Sequence, residues 1–156
     1  WGWLWPPRLL ALTAVDTSSG MLAVLDQKIK DEKITNVTTQ RLDLLQETLP
    51  TRFDLIFCAM TLHHIKEADQ LLGRFCELLV DGGYLAVADL QKEDGSFHDT
   101  EADGVMHHGF EPAELATTVT GLGLQQATVQ KVHTLIKTND GGVERAYPVF
   151  LLTAKK

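Results

Sequence analysis

"LTAVDTSSGM", residues 12–21, holds the junction on which the fold turns. An apolar run over residues 10–15, broken only by Thr13, ends at Asp16, and Thr17, Ser18 and Ser19 follow. A continuous apolar stretch of that length predicts a strand buried on both faces. Ser and Thr favour helix N-termini because their hydroxyl oxygens accept a hydrogen bond from a first-turn N–H. Met21, Leu22, Leu25 and Ile29 then share one helical face, while Lys28, Asp31 and Glu32 lie elsewhere. The stretch therefore reads as strand, acid, helix.

Outward from this junction the two periodicities alternate. "NVTTQRLDLL" (36–45) predicts a half-buried strand ending near Asp43, and "FDLIFCAM" (53–60) a more apolar one. Ala68, Leu71, Leu72, Phe75, Leu78 and Leu79 recur at three- and four-residue steps, as an amphipathic helix requires. The glycines of "VDGG" (80–83) are expected to stop that helix, and "YLAVADL" (84–90) to form a buried strand. Residues 91–110 are polar and acidic without sustained periodicity, a solvated loop or lid. Pro112 suits the first turn of a helix bearing Leu115, Ala116, Val119 and Leu122. "QQATVQKVHTLIK" (125–137) and "VERAYPVFLLTAKK" (143–156), joined by "TNDGG", predict an antiparallel hairpin. Repeated strand–helix alternation argues for an open, mostly parallel α/β sheet with helices on both faces.

Length and charge narrow the function classes. A chain of 156 residues is of single-domain length. Fourteen Lys and Arg against 21 Asp and Glu give a net charge of −7, a poor match to a phosphate-tracking surface, so no nucleic-acid partner is expected. No apolar run reaches the ~20 residues of a membrane span. Cys58 and Cys76 sit in apolar segments without metal-ligand spacing and read as buried, reduced thiols, consistent with a cytoplasmic location.

In an open α/β sheet, ligands bind beyond the carboxyl ends of the strands. The polar residues expected there are Asp16, Asp43, the segment "AMTLHHI" (59–65) and Asp89. A carboxylate at Asp16 can accept hydrogen bonds from vicinal ribose hydroxyls. Asp43 can accept one from an exocyclic amine, and the Leu44 N–H can donate to a ring nitrogen. The plainer reading of a lone acid at a strand end is a helix cap.

"LTAVDTSSGML", "RLDLLQETLPTRFDLIFCAMTLHHI", "LLVDGGYLAVADL" and "HHGFEPAELATTVTGLGLQQATVQKV" together resemble successive motifs of class I S-adenosylmethionine-dependent methyltransferases of the small-molecule type. The resemblance implies S-adenosylmethionine as cofactor and a small-molecule acceptor. It makes Asp16 the ribose-binding acid, with Thr17 as its backbone-contacting neighbour and Met21 packing near the adenine. Asp43 and Leu44 match the pair that reads the adenine edge, and the Ala59 backbone a contact to the methionine part of the cofactor. His63 and His64 match a Leu-His-His segment. The implied sheet is Rossmann-like, mostly parallel, in the order 3-2-1-4-5-7-6 with an antiparallel C-terminal hairpin. The strands of this chain match the second to seventh, and Pro148 in the last needs an unpaired or irregular position.

The family's glycine-rich first motif has no counterpart, because "GWLWPPRLL" (2–10) aligns with the tail of the first helix. The expectation is an N-terminally truncated, incomplete methyltransferase domain over residues 1–156, lacking its first strand. A catalytically silent remnant or binding module is the alternative. A nicotinamide-dependent Rossmann enzyme fits less well, since no Tyr-x-x-x-Lys or similar hydride-transfer set is present. Catalytic residues stay unassigned; the positional candidates for a general base are His63, His64, His107, His108 and the acids of residues 91–103. Adjacent histidines point in different directions and no third ligand is spaced to join them, so no metal site is expected.

Overall fold

The computed structural model describes residues 11–98, 104–138 and 143–156. The N-terminal "WGWLWPPRLL", the acids Asp99, Glu101 and Asp103, and the "NDGG" of the hairpin turn lie outside the described residues. The chain divides into two compact units, residues 1–48 and 49–156.

The first unit contains β1 (Leu12–Asp16), helix α1 (Ser19–Asp31) and β2 (Val37–Arg41). Ser18 is the N-cap of α1, its Oγ accepting the Met21 N–H at 3.3 Å. β1 and β2 pair in parallel, with Leu12 opposite Val37 and Asp16 opposite Arg41, as a strand–helix–strand unit requires. All five residues of β1 are half-buried, where a strand covered on both faces was expected. β1 has a strand partner on one side only among the described residues, which leaves that expectation unmet. β2 stops at Arg41, two residues short of Asp43.

In the second unit β3 (Phe53–Ala59), helix α2 (Ala68–Leu78), β4 (Leu79–Leu90), helix α3 (Pro112–Gly121), β5 (Gln125–Thr138) and β6 (Glu144–Lys155) follow in order. The sheet runs β3-β4-β6-β5, with β3 parallel to β4 and β6 antiparallel to both neighbours. With β1 to β6 as the family's second to seventh strands, both pairings agree with the implied order. Among the described residues the strands form two sheets, β1-β2 in the first unit and β3-β4-β6-β5 in the second.

Helix α2 buries Leu71, Leu72, Phe75, Cys76 and Leu78, each large apolar side chain contributing about 1.5–3 kcal/mol. Its last carbonyls are served by cations: Lys156 Nζ donates to Cys76 and Leu79, and Arg52 to Glu77. The helix ends because Leu79 is extended (φ −76°, ψ 144°), not at the glycines as expected. Gly82 takes its left-handed φ of 81° inside β4, where the β3–β4 register shifts. Pro148 is tolerated in β6 because it lies just past the last β4 pair, where its carbonyl accepts the Gln91 N–H at 2.9 Å. Among the described residues no helix is long and apolar enough to cross a membrane.

Candidate functional site

Asp16 is the last residue of β1. Its Oδ1 accepts the Ser18 N–H at 2.8 Å, and its carbonyl accepts the Leu42 N–H at 3.2 Å. The first bond orients the carboxylate at the helix entry. The second fastens the start of the segment after β2, bringing Asp16 and the turn at Asp43 to the same end of the parallel pair. The Thr17 carbonyl is held by Arg41 Nε at 3.1 Å. Met21 is 62% exposed and, with Ala14, Val15, Asp16, Leu22 and Leu25, lines a groove of about 280 Å³ within the first unit.

Asp43 opens a turn. Its Oδ1 accepts the Leu45 N–H at 2.9 Å and its Oδ2 accepts from Gln46 Nε2 at 3.0 Å. Both oxygens therefore carry local bonds, although each has a second lone pair. The Leu44 N–H has no hydrogen-bond partner among the described residues.

In the second unit the chemistry gathers at the carboxyl ends of β3 and β4. Ala59 closes β3, its carbonyl accepting from the Thr61 hydroxyl at 2.9 Å. Met60 follows with φ 51°, a left-handed conformation that costs a non-glycine residue free energy and concentrates at functional sites. Its N–H donates to Ala88 at 2.8 Å. Residues Leu62–His64 form one 3-10 turn. Asp89, fully buried near the end of β4, receives His63 Nδ1 at 2.6 Å, the Leu90 N–H at 2.7 Å and the His63 N–H at 3.3 Å. One carboxylate thus sets the position and ring orientation of His63.

The fold adds a third imidazole that sequence reasoning did not single out. His98 stands with its ring centroid 5.1 Å from His63 and 5.5 Å from His64, and those two rings are 4.1 Å apart. Its only sequence signal is membership of the Phe97-His98 ring pair in the otherwise polar run 91–103. Tyr147 secures that run: its ring meets Phe97 at 5.1 Å and its hydroxyl donates to the Ser96 carbonyl at 2.9 Å. Burial first, and then the charges of His63 and His64, hold the His98 ring below the ordinary histidine range.

The other positional candidates among the described residues make local contacts. His107 Nε2 donates to the Ile65 carbonyl at 2.9 Å, and its backbone N–H donates to the His63 carbonyl at 3.0 Å. His108 is exposed, 3.7 Å from Glu93. Of the described loop acids, Glu93 accepts from the Ser96 and Phe97 N–H groups, and Asp94 pairs with Arg145 at 2.8 Å. The Ser96 hydroxyl and then Arg145 hold the Asp94 carboxyl below its usual range.

Burial, followed by the Asp89 charge, pushes the Cys58 thiol up to about 12. At pH 8 only about one molecule in ten thousand then carries the reactive thiolate. Native protein is expected to resist a thiol reagent at Cys58, and urea-unfolded protein to react at the rate of a free cysteine. Peptide mapping after iodoacetamide checks this, and rapid native labelling at Cys58 would contradict it.

The methyltransferase domain family matches residues 5–85. An uncharacterized methyltransferase of Schizosaccharomyces pombe is 30% identical over 141 residues, covering 79% of this chain and 49% of its own length. The chain thus spans about half the length of that relative. Among solved structures, phosphoethanolamine N-methyltransferase 2 of Haemonchus contortus, in complex with S-adenosyl-L-methionine, is similar with a TM-score of 0.71 at 17% identity, covering 92% of this chain and 43% of that one. The YcgJ protein of Bacillus subtilis is similar with a TM-score of 0.74 at 14% identity, covering 96% and 84%. With the family match spanning more than half of the sequence, and the strand pairings those expected of the fold, the chain belongs to the class I S-adenosylmethionine-dependent methyltransferase family.

Proposed function

We propose that this chain binds S-adenosylmethionine through its first unit and transfers the methyl group to a small-molecule acceptor. The observation that carries this reading is the pair of acids at the same end of β1 and β2, with the Leu44 N–H, unpartnered among the described residues, beside the second. The residues present fit the cofactor. Asp16 has one carboxylate oxygen bonded to Ser18 and the other uncommitted among the described residues, ready for ribose hydroxyls. Asp43 retains lone pairs for an exocyclic amine, and Leu44 offers a donor to a ring nitrogen. Met21 and its apolar neighbours offer a wall against which an aromatic base can pack. For Ala59, in the second unit, the proposal is the backbone contact implied by the family resemblance.

The cofactor, when bound, supplies an electrophilic methyl group on a sulfonium sulfur. Transfer of that kind gains most from orientation and the exclusion of water. In this reading the first unit contributes orientation, through the two acids and the Leu44 N–H. A small acceptor is supported by the net charge of −7 and by the likeness to the Haemonchus contortus enzyme, a phosphoethanolamine N-methyltransferase. The family match runs across both units, which supports a single methyltransferase domain as the frame. A cytoplasmic location belongs to the same proposal.

Calorimetric titration with S-adenosylhomocysteine tests the reading. Binding near micromolar is expected. Asp16→Ala should weaken it by about 10- to 150-fold, the equivalent of one charge-assisted hydrogen bond at ~1.5–3 kcal/mol. No heat at millimolar ligand would instead favour a methyltransferase-like module without cofactor, a reading for which the local bonds on both Asp43 oxygens already speak.

A further inference from the structure

We propose that His63, His64 and His98 form a site for a divalent transition-metal ion of the zinc type, three imidazoles leaving a fourth position open to water. One ring nitrogen of each residue lies within 4.8 Å of the others. Tetrahedral zinc with Zn–N bonds of ~2.0–2.1 Å sets its nitrogens about 3.3 Å apart, so a modest closure of the three rings completes the set.

The hydrogen bonds determine which nitrogens are available. Asp89 accepts from His63 Nδ1 at 2.6 Å, which leaves the lone pair of His63 on Nε2. A ligating histidine whose other nitrogen donates to a buried carboxylate is the usual outer-sphere arrangement at zinc. The Gly104 carbonyl can only accept, so His64 Nδ1 donates to it at 2.9 Å and Nε2 is again the open nitrogen. His98 Nε2 is buried and has no hydrogen-bond partner among the described residues, a costly state for a polar atom. Each of the three neighbouring imidazoles thus keeps one nitrogen uncommitted among the described residues, and a single cation would satisfy all three. The donors are all nitrogen, which selects zinc, cobalt, nickel or copper over magnesium and calcium. The ligand-bearing segments are also anchored. The His63 carbonyl receives the Met106 and His107 N–H groups, and Tyr147 holds the run before His98. This inference needs no bound cofactor, so its test stands apart from that of the methyl-transfer reading.

The experiment is equilibrium dialysis of the untagged full chain against Zn2+ after chelator treatment, with Co2+ absorption reporting coordination geometry. One equivalent of Zn2+ per chain is expected, together with the intense visible bands of tetrahedral cobalt and no competition from Mg2+. His64→Ala and His98→Ala, at exposed and half-buried positions, should each weaken Zn2+ binding by about tenfold or more. Asp89→Asn should weaken it by about 10- to 100-fold. His133→Ala, on β5, should leave it unchanged, and circular dichroism of each variant reports whether it is folded. Less than a tenth of an equivalent bound by the native chain would overturn the site. So would stoichiometric binding that neither His64→Ala nor His98→Ala affects.

Discussion

Asp89→Ala is expected to destabilise the second unit by about 3–5 kcal/mol, the scale of leaving several buried donors without their one carboxylate acceptor. The carboxylate is fully buried and His63 is 1% exposed, so water cannot replace what the mutation removes. Three donors lose their acceptor together: His63 Nδ1, the His63 N–H and the Leu90 N–H. Hydrogen bonds to charged groups contribute about 1.5–3 kcal/mol each, and the orphaned donors keep their desolvation cost. Asp89→Asn preserves the side-chain volume and one acceptor oxygen, so its loss should be smaller, about 1–2 kcal/mol. Urea unfolding followed by far-UV circular dichroism measures both. Amide exchange at His63 and Leu90 shows whether the effect is local. A loss below 1 kcal/mol for Asp89→Ala would mean that the pair does not hold the 3-10 turn.

This pairing also marks where sequence reading ends. Alternating strands and helices, a hydroxyl cap among Thr17, Ser18 and Ser19, the Pro112 helix start and the closing hairpin were legible because each is written in neighbouring residues. Apolar period, hydroxyl caps and turn glycines act over a few positions. The half-burial of β1 was not legible, because burial depends on what lies beside a strand and the apolar run 10–15 records only its own composition. Asp43 was placed near a strand end, but its role as a turn former follows from bonds to Leu45 and Gln46. The histidine cluster was half legible. His63 and His64 stood out as a pair after β3, but His98 joins them only through the return of the chain after β4. A contact between residues so far apart in sequence leaves no local spacing to recognise. The third imidazole is therefore brought in by the fold and by no local spacing.

Gly109→Ala carries the other large expected effect, and it tests how that return is held. Gly109 has φ 72°, and a Cβ there would stand 2.5 Å from the Gln91 oxygen, 2.7 Å from its carbonyl carbon and 2.8 Å from the Leu90 oxygen. All three are backbone atoms at the end of β4, so a side-chain rotation cannot relieve the overlap. Around this close approach the Phe110 N–H donates to Leu90 and the Lys92 N–H to Phe110, each at 2.9 Å. The left-handed backbone costs an L-residue about 1–2 kcal/mol, and forced overpacking adds about 1–3 kcal/mol. The expected loss is about 2–5 kcal/mol, with faster amide exchange at Lys92, His107 and Phe110. Gly104→Ala isolates the first term, because Gly104 has φ 97° but no atom of the described residues within 4 Å of its would-be Cβ. If the two variants lose equal stability, the approach of Gly109 to Gln91 does not fasten the segment. If Gly109→Ala loses more, the glycine is what lets residues 104–110 close on the end of β4 and cap the His63 carbonyl.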